Sequence, residues 1–166
     1  MSIILYDLAG ADPDVRFSPY CWRTRFALAH KGLPVETVPW RFTDRDAIAF
    51  SGQTKVPVIQ DGGKVVYDSW TIAEYLEEQV PAPTLFGGGT GRAHAAFINS
   101  WADSVLVGGI VRFIVRDLLD IIDPKDVDEC TRLGVTAYLP KPVSVATFIK
   151  IVAHLFPRVT APKSSS

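Results

Sequence analysis

"FSPYCWRTRFALAHKGL", residues 17–33, decides how this chain folds and what it offers a ligand. Pro19 suits the first position of a helix, where its missing N–H leaves nothing unpaired. That makes Ser18 the N-cap. Trp22, Phe26 and Ala29 follow at helical spacing and predict one apolar face. Gly32 and Pro34 stop the helix. Ser18 and Cys21 keep the spacing of a redox Cys-x-x-Cys pair, with serine in the first place. A helix N-terminus carries about half a positive charge and several free N–H groups. A serine hydroxyl there can give a thiolate a charge-assisted hydrogen bond of roughly 1.5–3 kcal/mol. At about 1.36 kcal/mol per pKa unit, that moves a thiol from about 8.5 toward neutrality. Ser18 therefore makes chemical sense if the thiol arrives on a ligand. On position alone, a plain helix cap is the commoner role.

Working outward, Ile3 to Tyr6 reads as a short buried strand, and Asp7 to Phe17 as a loop. Val35 to Val38 is a second strand, limited by Pro39. A short helical stretch follows around Asp44 to Phe50. Val58-Ile59 and Val65 to Tyr67 form a hairpin around Asp61-Gly62-Gly63. Ser69 caps a helix from Trp70 to about Gln79, with Ile72, Ala73, Leu76 and Val80 along one face. The order is β-α-β-α-β-β-α. "VPAPTLFGGGTG", residues 80–91, is a linker by composition. Beyond it, 92 to about 122 is one long helical pattern, with Phe97, Trp101, Val105, Gly108, Val111, Val115, Leu118 and Ile122 tracking one side. Gly108-Gly109 is a weak point where it can bend.

Composition bounds the function. Among 166 residues, 17 basic and 18 acidic side chains leave a net charge of -1, so no charge field draws the chain to nucleic acid or to an anionic membrane. Two cysteines, Cys21 and Cys130, are too few for a disulfide framework or a structural zinc site, and no metal is expected. The start "MSIILYD" has no signal-peptide pattern, and Val105 to Val111 is too short to span a bilayer. A soluble protein of a reducing compartment, most simply cytoplasmic, is expected.

Two further elements accompany Ser18. "TKVPVI" places Val56-Pro57 immediately before a strand, where a cis bond is accommodated and the backbone of Val56 is left free to pair with an extended peptide. "YDSW" places Asp68 and Ser69 at a helix mouth, where a free α-carboxylate can meet the Ser69 hydroxyl and helix N–H groups and Asp68 can pair with the neighbouring ammonium. Taken singly, a loop proline and a plain cap are the commoner readings. Together the three suit a small peptide with a thiol in the middle and a zwitterionic amino acid at one end. Glutathione fits that description.

"SPYCWRTRFALAHKGL", "VPVI" and "DSWTIAEYLEE" resemble the glutathione S-transferase superfamily, and most closely its bacterial glutathione-dependent β-etherase group, which cleaves lignin-type aryl ethers. The resemblance covers residues 1 to about 122 and implies an α/β fold: a thioredoxin-like glutathione-binding domain over 1–80, then a truncated, mainly helical region beginning with one long helix over 92–122. It implies Ser18 as the catalytic thiolate stabiliser, Val56 before a cis Pro57 as the backbone partner of glutathione's cysteine, and Asp68 and Ser69 on the γ-glutamyl group. Lys55 is a candidate for the glycine carboxylate, or a solvated lysine. Cys21 is read as helix packing rather than as a nucleophile.

Residues 123–156 resemble instead the closing helix-strand-helix of a response-regulator receiver domain, ahead of a polar tail over 157–166 read as disordered. Tyr138, Lys141 and Pro142 match that family's positions, but its acidic phosphoacceptor pocket has no counterpart upstream. The chain thus reads as a junction of two partial families. The function implied is attack of the glutathione thiolate on a small electrophile, an aryl ether among the candidates. The alternative is a noncatalytic glutathione-binding module whose substrate pocket is cut short. Exposed apolar surface left by the junction favours self-association as a homodimer.

Overall fold

The structure, a computed structural model, describes residues 2–122 together with 124 and 125. The expectations for residues 126–166, including the receiver-like strand and final helix, Cys130 and Lys141, lie outside the described residues.

Four strands form one mixed sheet in the order β2-β1-β3-β4. They are β1 (Ile3–Leu8), β2 (Val35–Trp40), β3 (Val58–Asp61) and β4 (Lys64–Tyr67). The helix α1 (Pro19–His30) makes the crossover that lets β1 and β2 run parallel. β3 returns antiparallel to β1, and Gly62-Gly63 closes the hairpin to β4, with Asp61 opposite Lys64. A 3-10 turn (Arg45–Ser51) joins β2 to β3, and α2 (Ser69–Gln79) packs beside α1. Beyond the linker, α3 (Gly91–Trp101), a π-helical segment (Ala102–Val107) and α4 (Gly108–Ile121) follow one another without a break. The thioredoxin-like α/β domain followed by a helical region is the architecture expected from the sequence.

Four local readings are corrected. β1 extends past Tyr6, so Asp7 is a fully buried strand residue rather than a loop residue. β2 runs through Pro39 to Trp40; it is an edge strand, where a missing N–H can face away from the ladder. The face of α1 that meets the sheet carries Cys21, Thr24, Ala27 and Leu28, whereas Phe26 is 66% exposed and Trp22 and Ala29 are also exposed. Phe26 lines an open groove together with Ala95 and Ile98 of α3, while Trp22 donates its indole N–H to the Arg16 carbonyl at 3.0 Å. The stripe of the last helix is broken as well: Phe97, Trp101 and Val105 are exposed, and a π-helical segment interrupts the α-helical register from Ala102 to Val107. The irregularity immediately precedes the Gly108-Gly109 pair.

Two apolar clusters build the core. Ile3, Leu5, Leu28, Ile59, Ile72 and Leu76 fill the space between the sheet and the pair α1/α2. Leu8, Cys21, Trp40 and Ile48 form a second cluster under the first turn of α1. The C-terminal end of α1 is tied differently. The side chain of Lys31 has no solvent exposure, and its ammonium donates to Glu77 Oε2 at 2.5 Å and to the carbonyls of Val80 and Pro83 at 2.6 Å each. Burial pushes the Glu77 carboxyl up, but the Leu85 amide, Lys31 and the Thr84 hydroxyl outweigh it and hold the group down at about 2.

The helical region is held to the sheet domain at both ends. Arg23 of α1 donates to Asn99 at 2.8 Å and to Asp103 at 2.6 Å. At the other end the Ala11 amide donates to the Ile121 carbonyl at 2.8 Å. Gly10 makes this approach possible: a Cβ on it would collide with the same carbonyl.

Lys31→Met removes three acceptors' partner while Glu77, partly exposed, keeps the Leu85 amide and Thr84 hydroxyl, so it should cost about 1–3 kcal/mol of unfolding free energy in denaturant titration. Glu77 lies below its ordinary value of 4.5, so its stabilisation is complete above that pH and is lost as pH falls toward about 2. The acid limb of the stability curve should be shallower in Lys31→Met than in the parent; equal limbs would show that the pair does not set it.

Candidate functional site

Ser18 stands at the mouth of α1, 5% exposed, its Oγ accepting the Cys21 amide at 3.3 Å. No acidic side chain occupies the first turn, so the positive end of the helix dipole is not neutralised there. Cys21, one turn in, is fully buried, and burial above all pushes its thiol up to about 12. A thiol so placed is a packing group with no thiolate to offer.

The Val56-Pro57 bond is cis. Among the described residues the Val56 backbone makes no hydrogen bond; Val56 is half-buried and stands two residues ahead of β3. Lys55 beside it is exposed and makes no ion pair with a described residue.

At the mouth of α2 the cap is Asp68 rather than Ser69, which is the first helical residue. Asp68 Oδ1 accepts from the amides of Trp70 and Thr71, each at 3.0 Å, and from the Thr71 hydroxyl at 3.3 Å. Its Oδ2 has no partner among the described residues. Asp68 also holds φ 69°, ψ 130°, a left-handed backbone that costs a side-chain-bearing residue roughly 1–3 kcal/mol. Ser69 is 5% exposed, and its hydroxyl meets no hydrogen-bond partner in the described chain. Two free polar groups, one carboxylate oxygen and one hydroxyl, thus stand side by side.

These pieces assemble into two adjoining spaces. A cleft of about 310 Å³ is bounded by Lys55, Val56, Pro57, Asp68 and Ser69, with Tyr20, Gln53 and Tyr67 completing it. Ser18 lies in a neighbouring cavity of about 380 Å³ that shares Tyr20, Lys55 and Val56 with the cleft. Its walls on the sheet side include Leu8, Phe17, Trp40 and Phe42. Its far wall is the last helix, through Val107, Ile110, Val111, Ile114 and Leu118. Trp40 and Phe42 meet edge to face, ring centroids 5.9 Å apart. One space carries charged, amide and hydroxyl side chains; the other is apolar and opens onto the Ser18 hydroxyl.

The sequence motifs contained the polar half of this arrangement and part of the apolar half. Val111 and Leu118 of the expected helix stripe reach the apolar wall, while Trp40, which ends β2, and Phe42 just beyond it gave no signal. Tyr20 lies inside the opening motif and was within reach of sequence reasoning; Gln53 and Tyr67 carried no signal of their own. Among the described residues, no cluster of three metal-ligating side chains occurs, and no helix is long and apolar enough to cross a membrane.

Comparison with known proteins adds an independent line. Residues 17–79 match the glutathione S-transferase N-terminal domain. The chain is 37% identical over 78 residues to a probable glutathione transferase of Aplysia californica, across 43% of this chain and 79% of that one. It is 34% identical over 93 residues to glutathione S-transferase Z1 of Arabidopsis thaliana, across 53% of this chain and 41% of the plant protein, and so spans well under half of that relative's length. A glutathione S-transferase of Ceriporiopsis subvermispora, solved in complex with glutathione, superposes with a TM-score of 0.70 at 25% identity, over 95% of this chain and 75% of that chain.

The buried thiol yields a direct test. In a Cys130→Ser background, the folded protein should show no reaction with a chromogenic disulfide reagent at pH 8, and one equivalent after unfolding. Rapid labelling of Cys21 in the folded state would place it in the chemistry.

Proposed function

The chain belongs to the glutathione S-transferase superfamily, and from that premise we propose that it binds glutathione in the polar cleft and activates its thiol at Ser18 for attack on an apolar electrophile. The observation that carries this reading is the junction of the two spaces at Val56. A peptide lying along the cleft and pairing with the Val56 backbone would direct a central thiol past that residue toward Ser18.

Each residue then has a role set by its chemistry. The γ-glutamyl carboxylate accepts from the Ser69 hydroxyl, and the α-ammonium pairs with Asp68 Oδ2, the carboxylate oxygen that capping leaves free. Lys55 serves the glycine carboxylate at the other end. Ser18 donates its hydroxyl hydrogen to the thiolate at the uncompensated N-terminus of α1. The second substrate lies against Trp40, Phe42 and the last helix. The thiolate sulfur forms a bond to an electrophilic carbon, and the leaving group departs with the bonding electron pair.

An aryl ether is the substrate class closest to the sequence motifs, and the aromatic lining of the cavity suits it: an aryl group gains contact with Trp40 and Phe42, and an aryloxide is a competent leaving group. A wall supplied by the last helix favours catalysis over glutathione binding alone, because holding the second substrate can supply several kcal/mol of barrier lowering.

Asp68→Asn separates the two jobs of that side chain. The asparagine carbonyl keeps the cap, so thermal stability should not fall. The lost charge should weaken glutathione about tenfold by calorimetry, roughly 1.4 kcal/mol. Ser18→Ala should bind glutathione with similar affinity but raise its thiol pKa by about 1–2 units in ultraviolet thiolate titration. It should lose aryl-ether turnover in proportion. Glutathione that fails to bind, or turnover unaffected by Ser18→Ala, would overturn the reading. A lowered thiol pKa with no turnover of any aryl ether or halide would leave a binding module.

A further inference from the structure

Three residues line both the polar cleft and the apolar cavity: Tyr20, Lys55 and Val56. Val56 offers its backbone there, and Lys55 is exposed and serves the far end of the peptide. Tyr20 has no role in the reading so far. It is half-buried in the first turn of α1, two residues beyond Ser18. The phenol at its tip finds no hydrogen-bond partner in the described chain. Unlike Asp7 Oδ1 and Arg16 Nη1, it is not sealed from solvent.

The ring of Tyr20 is held in place. The Arg23 guanidinium lies over it, 5.1 Å from the centroid. Arg23 is held in turn by Asn99 at 2.8 Å and by Asp103 at 2.6 Å. Asp103 belongs to the π-helical segment, an irregularity of the kind that gathers at functional sites. A donor fixed in this way needs no reorganisation when charge develops beside it.

An ether makes a demand that Ser18 does not meet. In displacement at carbon, the sulfur enters on one side and the oxygen leaves on the other with the bonding pair. An aryloxide leaving into an apolar cavity finds little water, and its unpaired charge there is costly. Ser18 has a single hydroxyl hydrogen, which the thiolate takes. Residues two apart at a helix start do not face each other, so Tyr20 and Ser18 reach different parts of the cavity that both line.

We propose that Tyr20 is a catalytic residue that donates its phenol hydrogen to the departing oxygen of an aryl ether; the inference rests on the glutathione reading above. The C–S bond forms, the C–O bond breaks, and the bonding pair goes to the ether oxygen. The Tyr20 proton follows it, so a neutral phenol departs, and Tyr20 regains a proton from water. Donor and acceptor are both phenolic oxygens, so the proton lies between like partners. A halide leaves as a stable anion and takes no proton.

That difference supplies the test. Tyr20→Phe keeps the ring and its Arg23 contact and removes only the hydroxyl. Glutathione affinity by calorimetry and the thiol pKa of bound glutathione by ultraviolet titration should be unchanged. Turnover of an aryl ether with an unactivated phenol as leaving group should fall about 100-fold, within the range for one positioned proton donor. The loss should shrink for a nitrophenyl ether, whose leaving anion needs less help, and turnover of an aryl halide should hold. Equal losses on ether and halide would place Tyr20 on the thiolate or in the fold, and no loss on the ether would leave a ring on which Arg23 packs; either result overturns the proposal. If Tyr20→Phe does not fold, the parent decides in deuterium oxide, which should slow the ether and not the halide; an equal effect on both overturns the proposal. Failure of the preceding reading shows in the parent itself, as glutathione that does not bind or as no turnover of either substrate, and the proposal falls with it.

Discussion

The buried ammonium of Lys31 is the constraint on which the arrangement turns. It joins the end of α1, the last turn of α2 and the linker through one charged carboxylate and two carbonyls. A lysine charge without solvent exposure is tolerable only with several strong acceptors, and the three it finds come from segments that could otherwise move apart. Their union ties the C-terminal end of α1 to the last turn of α2 and to the start of the linker.

The far end of the helical region answers the same logic with weaker forces. A single amide-to-carbonyl bond from Ala11 to Ile121 is worth about 0.5–1.5 kcal/mol net. Its value is geometric: it holds α4 over the Ser18 cavity, and the bare backbone of Gly10 is what lets the two chains come so close. The π segment ends at Val107, where the helix begins to line that cavity with Ile110, Val111, Ile114 and Leu118.

The candidate site divides its forces by location. On the proposed function, recognition of a zwitterionic peptide would fall to a few charged and hydroxyl groups at two helix mouths, where desolvation is partial and charge-assisted bonds are worth about 1.5–3 kcal/mol each. Grip on an electrophile would fall to aromatic and aliphatic walls, where area matters and direction does not. Asp68 shows how closely stability and recognition are joined: one oxygen caps a helix while the other is open to a ligand, on a backbone that is itself strained.

The sequence by itself determined the order of elements, the cap at Ser18, the cis bond before β3 and the gathering of Lys55, Val56, Pro57, Asp68 and Ser69 at neighbouring chain ends. These are local signals: proline, glycine and capping residues act within a few positions of themselves, so they can be read without knowing what packs where. Tertiary structure decided what depends on a partner. Phe26 looks like core and is exposed, because the sheet meets Cys21, Thr24 and Leu28 instead. Asp7 looks like a loop residue and is buried, because β1 continues beneath α1. Lys31 looks like a surface lysine, and only the convergence of α2 and the linker supplies the acceptors that bury it. The apolar cavity belongs to this second class, since its two walls lie some seventy residues apart in the chain. Burial is a property of pairs of surfaces, and a periodicity read along one segment carries no record of the surface that will cover it.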